Sequence, residues 1–439
     1  MLRLSLLLLA LSVAGVLHAE DWPQWMGKNR DGRWNETGTI DQFPADGAKV
    51  LWRKPLQGGY AGPAVANGKV FVFDYQRGEG KLNNNPGTRP KFNGKERLLC
   101  LDAKTGDKLW EYQYAAPYEI SYGSGPRCTP TVHEGHVYIL GAEGHLACID
   151  TETGSRLWAK ELKTEYKTNS PMWGFCSHPL IDGDKVICGV GGEGSILVAF
   201  NRKTGQELWK AVSAKEQGYC PPVIHTIGGT RQLIHWNAEK LTSLDPETGK
   251  VYWSEPLAPQ YAMSIMSPRV AGNHLFAGGI GFVSACLEVT GSTPSAKVLW
   301  KGDRSMSVCP VNSTPIIEDE HIYGVDQQGQ LRCVELKTGK RVWETMLPVT
   351  GKKEGARPQN SGTAFLVKNG DKFFLFSETG HLIIARISVA GYEELSRTKI
   401  LEPTNECFGR DVVWSHPAFA DKCCFARNDK EIVCVSLAK

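Results

Sequence analysis

The sequence predicts an all-β chain: an eight-bladed β-propeller of four-stranded antiparallel blades, its ring closed by an N-terminal strand that completes the last blade. Three observations carry this. An acidic or amide residue, two variable residues, Thr-Gly, and a Trp eight positions after the first recur as one block five times. A short opening strand, usually containing Pro, recurs eight times. The last opening is followed by too few residues for a whole blade.

The five blocks run from Asp102 to Trp110, Asp150 to Trp158, Asn201 to Trp209, Asp245 to Trp253 and Glu335 to Trp343. Self-similarity at a period of roughly 40 to 50 residues marks blades. Trp300 closes a degenerate copy whose turn reads Thr290-Gly291-Ser292-Thr293, and Trp52 opens the series. The acidic residue offers an oxygen to nearby backbone N–H groups and the Gly tolerates positive φ, which suits a tight hairpin. An indole repeated at one blade position packs between neighbouring blades, burying on the order of 200 Å² each time. Seven of the thirteen Trp residues are thereby assigned to docking.

The openings are Gly62-Pro63, Thr129-Pro130, His178-Pro179, Pro221-Pro222, Ser267-Pro268, Thr314-Pro315, Gly362-Thr363 and His416-Pro417, each leading into a short apolar strand. The eighth unit has room for only three strands, the third from Glu431 to Leu437. Its outer strand is expected from Val50 to Leu56, which leaves no open edge in the ring.

These blocks resemble the docking motif of PQQ-like repeat propellers, a superfamily that includes quinoprotein dehydrogenases and BamB-like assembly proteins. Asp21-Trp22-Pro23-Gln24-Trp25 and Arg30-Asp31-Gly32 add a resemblance to secreted bacterial PQQ-binding-like propellers. The resemblance implies the fold over essentially the whole mature chain and leaves the activity open.

The N-terminus reads as a secretory signal: Arg3, an apolar run from Leu4 to Leu17, and Ala19 before Glu20. The expected organisation is a signal over 1–19, an N-terminal arm over 20–49 and one propeller over 50–439, periplasmic or secreted, and a monomer is expected. No Cys follows the apolar run and no later segment is long enough to span a membrane, so neither a lipid anchor nor membrane insertion is expected. The near balance of 50 Lys and Arg against 47 Asp and Glu argues against nucleic acid as a partner.

Thirteen Cys in an exported chain suggest disulfides, but position argues for small buried thiols. Cys100, Cys148, Cys333 and Cys434 share a repeat position with Ala199 and Ser243, and Cys128 and Cys220 share another with Ser177, Ser313 and Ser415. Cys423-Cys424 sits in an extended strand, whose adjacent side chains face opposite ways and disfavour a vicinal bond. Gly189-Val190-Gly191-Gly192-Glu193-Gly194 matches a dinucleotide fingerprint but is followed by a strand, so it reads as a hairpin turn. His133-Glu134-Gly135-His136 reads as a surface turn, and no metal site is expected.

Turn lengths are asymmetric. First-to-second strand turns and Thr-Gly turns are tight and share one face; the long segments gather on the other, where binding usually resides. They bring Arg127, Trp173, His178, Tyr219, Met263, Met306, Asn360, Arg410, Trp414 and His416 to the expected channel mouth. Trp173 and Trp414 lie outside the docking register, and each precedes a His-Pro opening. Two readings follow: a partner-binding surface for a peptide, protein or carbohydrate, or channel residues packed as core. The functional expectation is an exported binding or scaffold propeller without a cofactor. The alternative is a quinoprotein dehydrogenase using PQQ with calcium, for which Asn312, Asn360 and Asp411 do not form a clear acid-amide-acid set.

Overall fold

The computed structural model describes residues 20–80, 82 and 84–439. The expected signal segment falls outside these described residues. Eight four-stranded antiparallel sheets form the blades, and the first strand of each lies against the first strands of its neighbours around a central channel. Val50–Pro55 pairs antiparallel with Glu431–Ser436, so the strand nearest the N-terminus supplies the outer edge of the eighth blade, as the short last unit requires.

The repeated block explains how neighbouring blades lock. In the first copy, Asp102 Oδ1 accepts the backbone N–H groups of Lys104 and Thr105 at 2.9 and 2.8 Å, and Gly106 takes φ +71°. A Cβ on Gly106 would lie 2.7 Å from the Trp52 ring of the adjoining blade. Gly154 stands in the same relation to Trp110, Gly205 to Trp158 and Gly249 to Trp209. The glycine is therefore required twice, by its backbone and by the indole lying on it. Each indole also donates its Nε1–H to the carbonyl of the second residue in the neighbouring turn: Trp52 to Ala103, Trp110 to Thr151 and Trp158 to Arg202, at 2.9 to 3.0 Å. Trp253 faces the degenerate turn and bonds instead within its own blade, to Gln232 Oε1 at 3.1 Å.

The cysteine register follows from the same packing. Cys100, Cys148, Cys286, Cys333 and Cys434 pair across strands with Trp110, Trp158, Trp300, Trp343 and Trp52. A small side chain there leaves room for the indole. All thirteen thiols are free, and twelve are buried. Cys423 and Cys424 lie in the strand Cys423–Arg427, without a bond between them.

The seventh blade has Ser396 where a docking Trp would stand, opposite Ile384. Ile40, Phe43 and Ala48 of the N-terminal segment pack on this part of the core instead, and the Phe43 N–H donates to Ser396 Oγ at 3.1 Å.

The rest of that segment threads the channel from the tight-turn end and touches blade after blade. Trp22 bridges to Val65, the Val132 N–H donates to Pro23, and the Trp34 N–H donates to Lys368. Arg30 donates to the carbonyls of His178, Pro179 and Pro222, while Arg269 donates to the Arg30 carbonyl at 2.6 Å. Trp22, Trp25, Arg30 and Trp34 are all buried. The channel is thus closed at one end by the chain's own N-terminal arm.

Candidate functional site

At the loop end the channel opens into a cavity of about 980 Å³. Its floor is Trp25, stacked on His178 with centroids 5.0 Å apart and planes 14° from parallel, and edge-on to His416 at 5.8 Å. The arm therefore makes the cavity blind.

The walls come from the long segments. The stretch carrying Trp173 is strapped to the second blade: the Ser121 N–H donates to Met172 and the Phe175 N–H to Ala142, at 2.8 and 2.9 Å. Trp173 meets Tyr219 edge-on at 5.7 Å. Arg127 fastens the same corner, donating to the carbonyls of Trp173, Gly125, Ser121 and Tyr122, with its guanidinium 5.1 Å above the Tyr60 ring. Across the mouth, Trp414 donates Nε1–H to Glu378 at 2.9 Å. That buried carboxylate also accepts from Arg410 Nε at 2.8 Å and the Thr363 N–H at 3.0 Å.

Of the residues expected at the mouth, Arg127, Trp173, His178, Tyr219, Met263, Trp414 and His416 line the cavity. Asn360 and Arg410 do not: the Asn360 carbonyl accepts from Arg410, and Arg410 acts behind the wall by holding Glu378. Met306 is a correction. Its methyl lies 2.5 Å from where a Cβ on Gly339 would stand, so it packs on that turn glycine beside the Trp300 docking contact.

Electrostatically the site is apolar with neutral imidazoles. Burial, then the charge of Arg30 and the neighbouring His416, holds His178 well below the ordinary histidine range. Its Nδ1 accepts the Thr129 N–H at 2.9 Å, which places the proton of the neutral ring on Nε2. Burial also lowers His416, to about 3. Cys176 is the one lining thiol among the described residues, and burial raises it to about 11.

A PQQ–calcium centre needs hard oxygen ligands. Glu216 is the one carboxylate lining the cavity, Glu378 is committed to Trp414 and Arg410, and Asp411 is exposed on a short hairpin. Among the described residues no group of three or more His, Cys, Asp or Glu side chains is placed to hold a metal ion. Asn312 also lines the cavity, its amide donating to Thr363 Oγ1 at 3.0 Å, so one carboxylate and one amide are the lining candidates, fewer side-chain oxygens than such a centre calls for.

The sequence reading missed the floor. Trp22, Trp25 and Trp34 fall within thirteen residues and outside the docking register. That density of large apolar rings in a segment set down as an arm was the available sign of burial.

Fold and cavity together define a Trp-docked, eight-bladed propeller with a blind loop-face cavity. A family model described as outer membrane protein assembly factor BamB matches residues 35–121 and 94–345, and the chain belongs to that family. Two curated relatives of that description, from Shewanella oneidensis and Yersinia pestis, are 25% and 26% identical over 166 and 167 residues. Each match spans 35% of this chain and 40% of the relative. Among solved structures, BamB from Moraxella catarrhalis aligns with a TM-score of 0.57 at 14% identity, covering 88% of this chain and 97% of that one. Quinohemoprotein alcohol dehydrogenase from Comamonas testosteroni aligns at 0.61 and 14% identity, covering 95% and 80%. At these identities the structural likeness establishes the fold alone.

Proposed function

We propose that this chain is a binding or scaffold propeller working outside the cytoplasm, in the periplasm or beyond it. Its loop-face cavity receives an apolar group of a peptide or protein partner. The observation that carries the reading is the blind, aromatic-walled cavity at the loop end. A largely apolar concavity with a few polar groups is the usual form of a ligand site, and loops on a rigid ring are suited to holding one. Among the described residues no helix is long and apolar enough to cross a membrane. The family, whose described members assemble outer membrane proteins, agrees with such a location and role.

Cys176 supplies the test. Thiol-reagent labelling of the native protein should slow at this residue when a partner-derived apolar peptide is bound, while labelling at unfolding-exposed thiols stays unchanged. Labelling at Cys176 that is indifferent to every bound partner would refute the reading.

A further inference from the structure

Three of the polar groups left over around the cavity are N–H donors. Trp25 and Trp173 line it, and neither indole N–H has a hydrogen-bond partner among the described residues. His178 has its Nδ1 occupied by the Thr129 N–H, so its Nε2–H is likewise without a partner. The Tyr219 hydroxyl, buried in the same wall without a partner among the described residues, can donate as well as accept.

The fixed charge has the same sign. Arg127 lines the cavity and is bonded to carbonyl oxygens, with no carboxylate partner among the described residues. Behind the floor, Arg30 is 2% exposed and is held by the carbonyls of His178, Pro179 and Pro222 and by Gln24 Oε1. Carbonyl dipoles solvate a guanidinium without cancelling its charge, and inside a poorly polarisable wall that charge acts over a longer range than in water. Opposing these is Glu216, the one lining carboxylate.

Unpartnered donors and uncompensated cations favour an acceptor that brings negative charge and several lone pairs. We infer that the group received in this cavity is an apolar or aromatic body carrying a carboxylate, the acid directed to the Trp25, Trp173, His178 and Arg127 wall and the body packed between Trp414 and Met263. The inference rests on the binding reading above and adds the chemistry of what is bound. A small organic acid and the free carboxylate end of an apolar peptide share that chemistry, and a blind cavity suits an end better than the middle of a chain.

The test is calorimetry on the full folded protein at neutral pH with three isosteric probes: 2-naphthoate, 2-naphthalenemethanol and 2-naphthylmethylammonium. Naphthoate should bind about ten-fold or more tightly than the alcohol, the scale of one charge-assisted hydrogen bond, with the ammonium weakest. Trp173→Phe keeps a ring and removes one donor, so it should weaken naphthoate more than the alcohol and reduce the naphthoate preference several-fold. Acetyl-Ala-Ala-Leu as acid and as amide separates the two sources. Acid above amide supports a peptide end, and equal weak binding beside tight naphthoate supports a small acid. Alcohol binding as well as naphthoate, or the ammonium binding best, would overturn the inference while leaving an apolar binding cavity intact. Failure of all three naphthalenes to bind would overturn both.

Discussion

Trp25 lies on the face of His178, ring centroids 5.0 Å apart, and this one contact joins the N-terminal arm to the third blade at the floor of the cavity. The arm is thus part of the site as well as of the ring. It fixes which end of the channel is open, and it brings a buried cation, Arg30, beneath the floor.

Blade docking predicts a contrast between two glycines of almost equal backbone. Gly154 has φ +71° and a Cβ there would sit 2.8 Å from Trp110, whereas Gly135 has φ +76° with open space around it. Gly135→Ala should cost about 1 kcal/mol, the left-handed backbone alone. Gly154→Ala adds overpacking and should cost about 2–4 kcal/mol. Urea melts of the two variants measure the difference; equal losses would mean that the indole yields freely and docking does not constrain the turn.

Ring closure depends on both ends of the chain, since Trp52 pairs with Cys434 across the joining strands. Removing residues 431–439 takes away the strand lying between Val50–Pro55 and Cys423–Arg427. Cooperative unfolding should be lost or its midpoint should fall steeply. A truncated protein melting like the full chain would contradict the closure.

How much of this was legible can be traced residue by residue. Docking was readable because Asp102, Gly106 and Trp110 are local chemistry repeated at a fixed spacing. The strand swap was readable because three strands cannot finish a four-stranded blade. That Trp173, Trp414 and His178 line the loop-end cavity could be read from their position next to the openings that define the innermost strands. The burial of the arm had a sign in its three Trp residues, but what they pack against did not. The contacts of Arg30 with Pro179 and Pro222 span some 150 to 190 residues and satisfy no periodic pattern. Met306 packs instead on Gly339 of the following turn, a contact between segments some thirty residues apart that no local pattern announces.

Acid should destabilise the protein. Burial holds His178 well below the ordinary range, His416 at about 3, and His225 and His235 at about 4. These groups stay neutral in the folded state while the unfolded chain takes up their protons below about 6.5. Their contribution is fully present above about pH 6.5 and is lost as pH falls from there toward about 4, at up to about 1.4 kcal/mol per pH unit for each histidine. Glu96, Asp326 and Asp429, raised by burial, work in the opposite sense, because the folded state then holds protons that the unfolded chain releases. Urea melts at pH 7.5 and 5.5 should show lower stability at the acid value, with net proton uptake on unfolding. Equal or higher stability at pH 5.5 would contradict the assignment of these histidines as neutral and buried.

PQQ with calcium should not bind tightly, since Glu216 is the cavity's one lining carboxylate and Glu378 is already bonded to Trp414 and Arg410. Equilibrium dialysis against both, followed by a dye-linked assay with alcohols and sugars, checks this. Stoichiometric uptake with turnover would establish the dehydrogenase instead.

The account stands most directly on whether Trp173 and Trp414 are recognition surface or packed core, and one comparison decides it. The double variant Trp173→Ala, Trp414→Ala is set beside the docking variant Trp158→Ala, with thermal melts and partner recovery from envelope extract measured per folded molecule. Trp158→Ala should cost about 3 kcal/mol, as when a large ring leaves a packed contact, and should keep recovery per folded molecule. The double variant should melt much closer to the unaltered protein and lose most of its recovery. Equal destabilisation by both, with recovery per folded molecule unchanged, would show that the cavity walls are core and that the partner binds elsewhere.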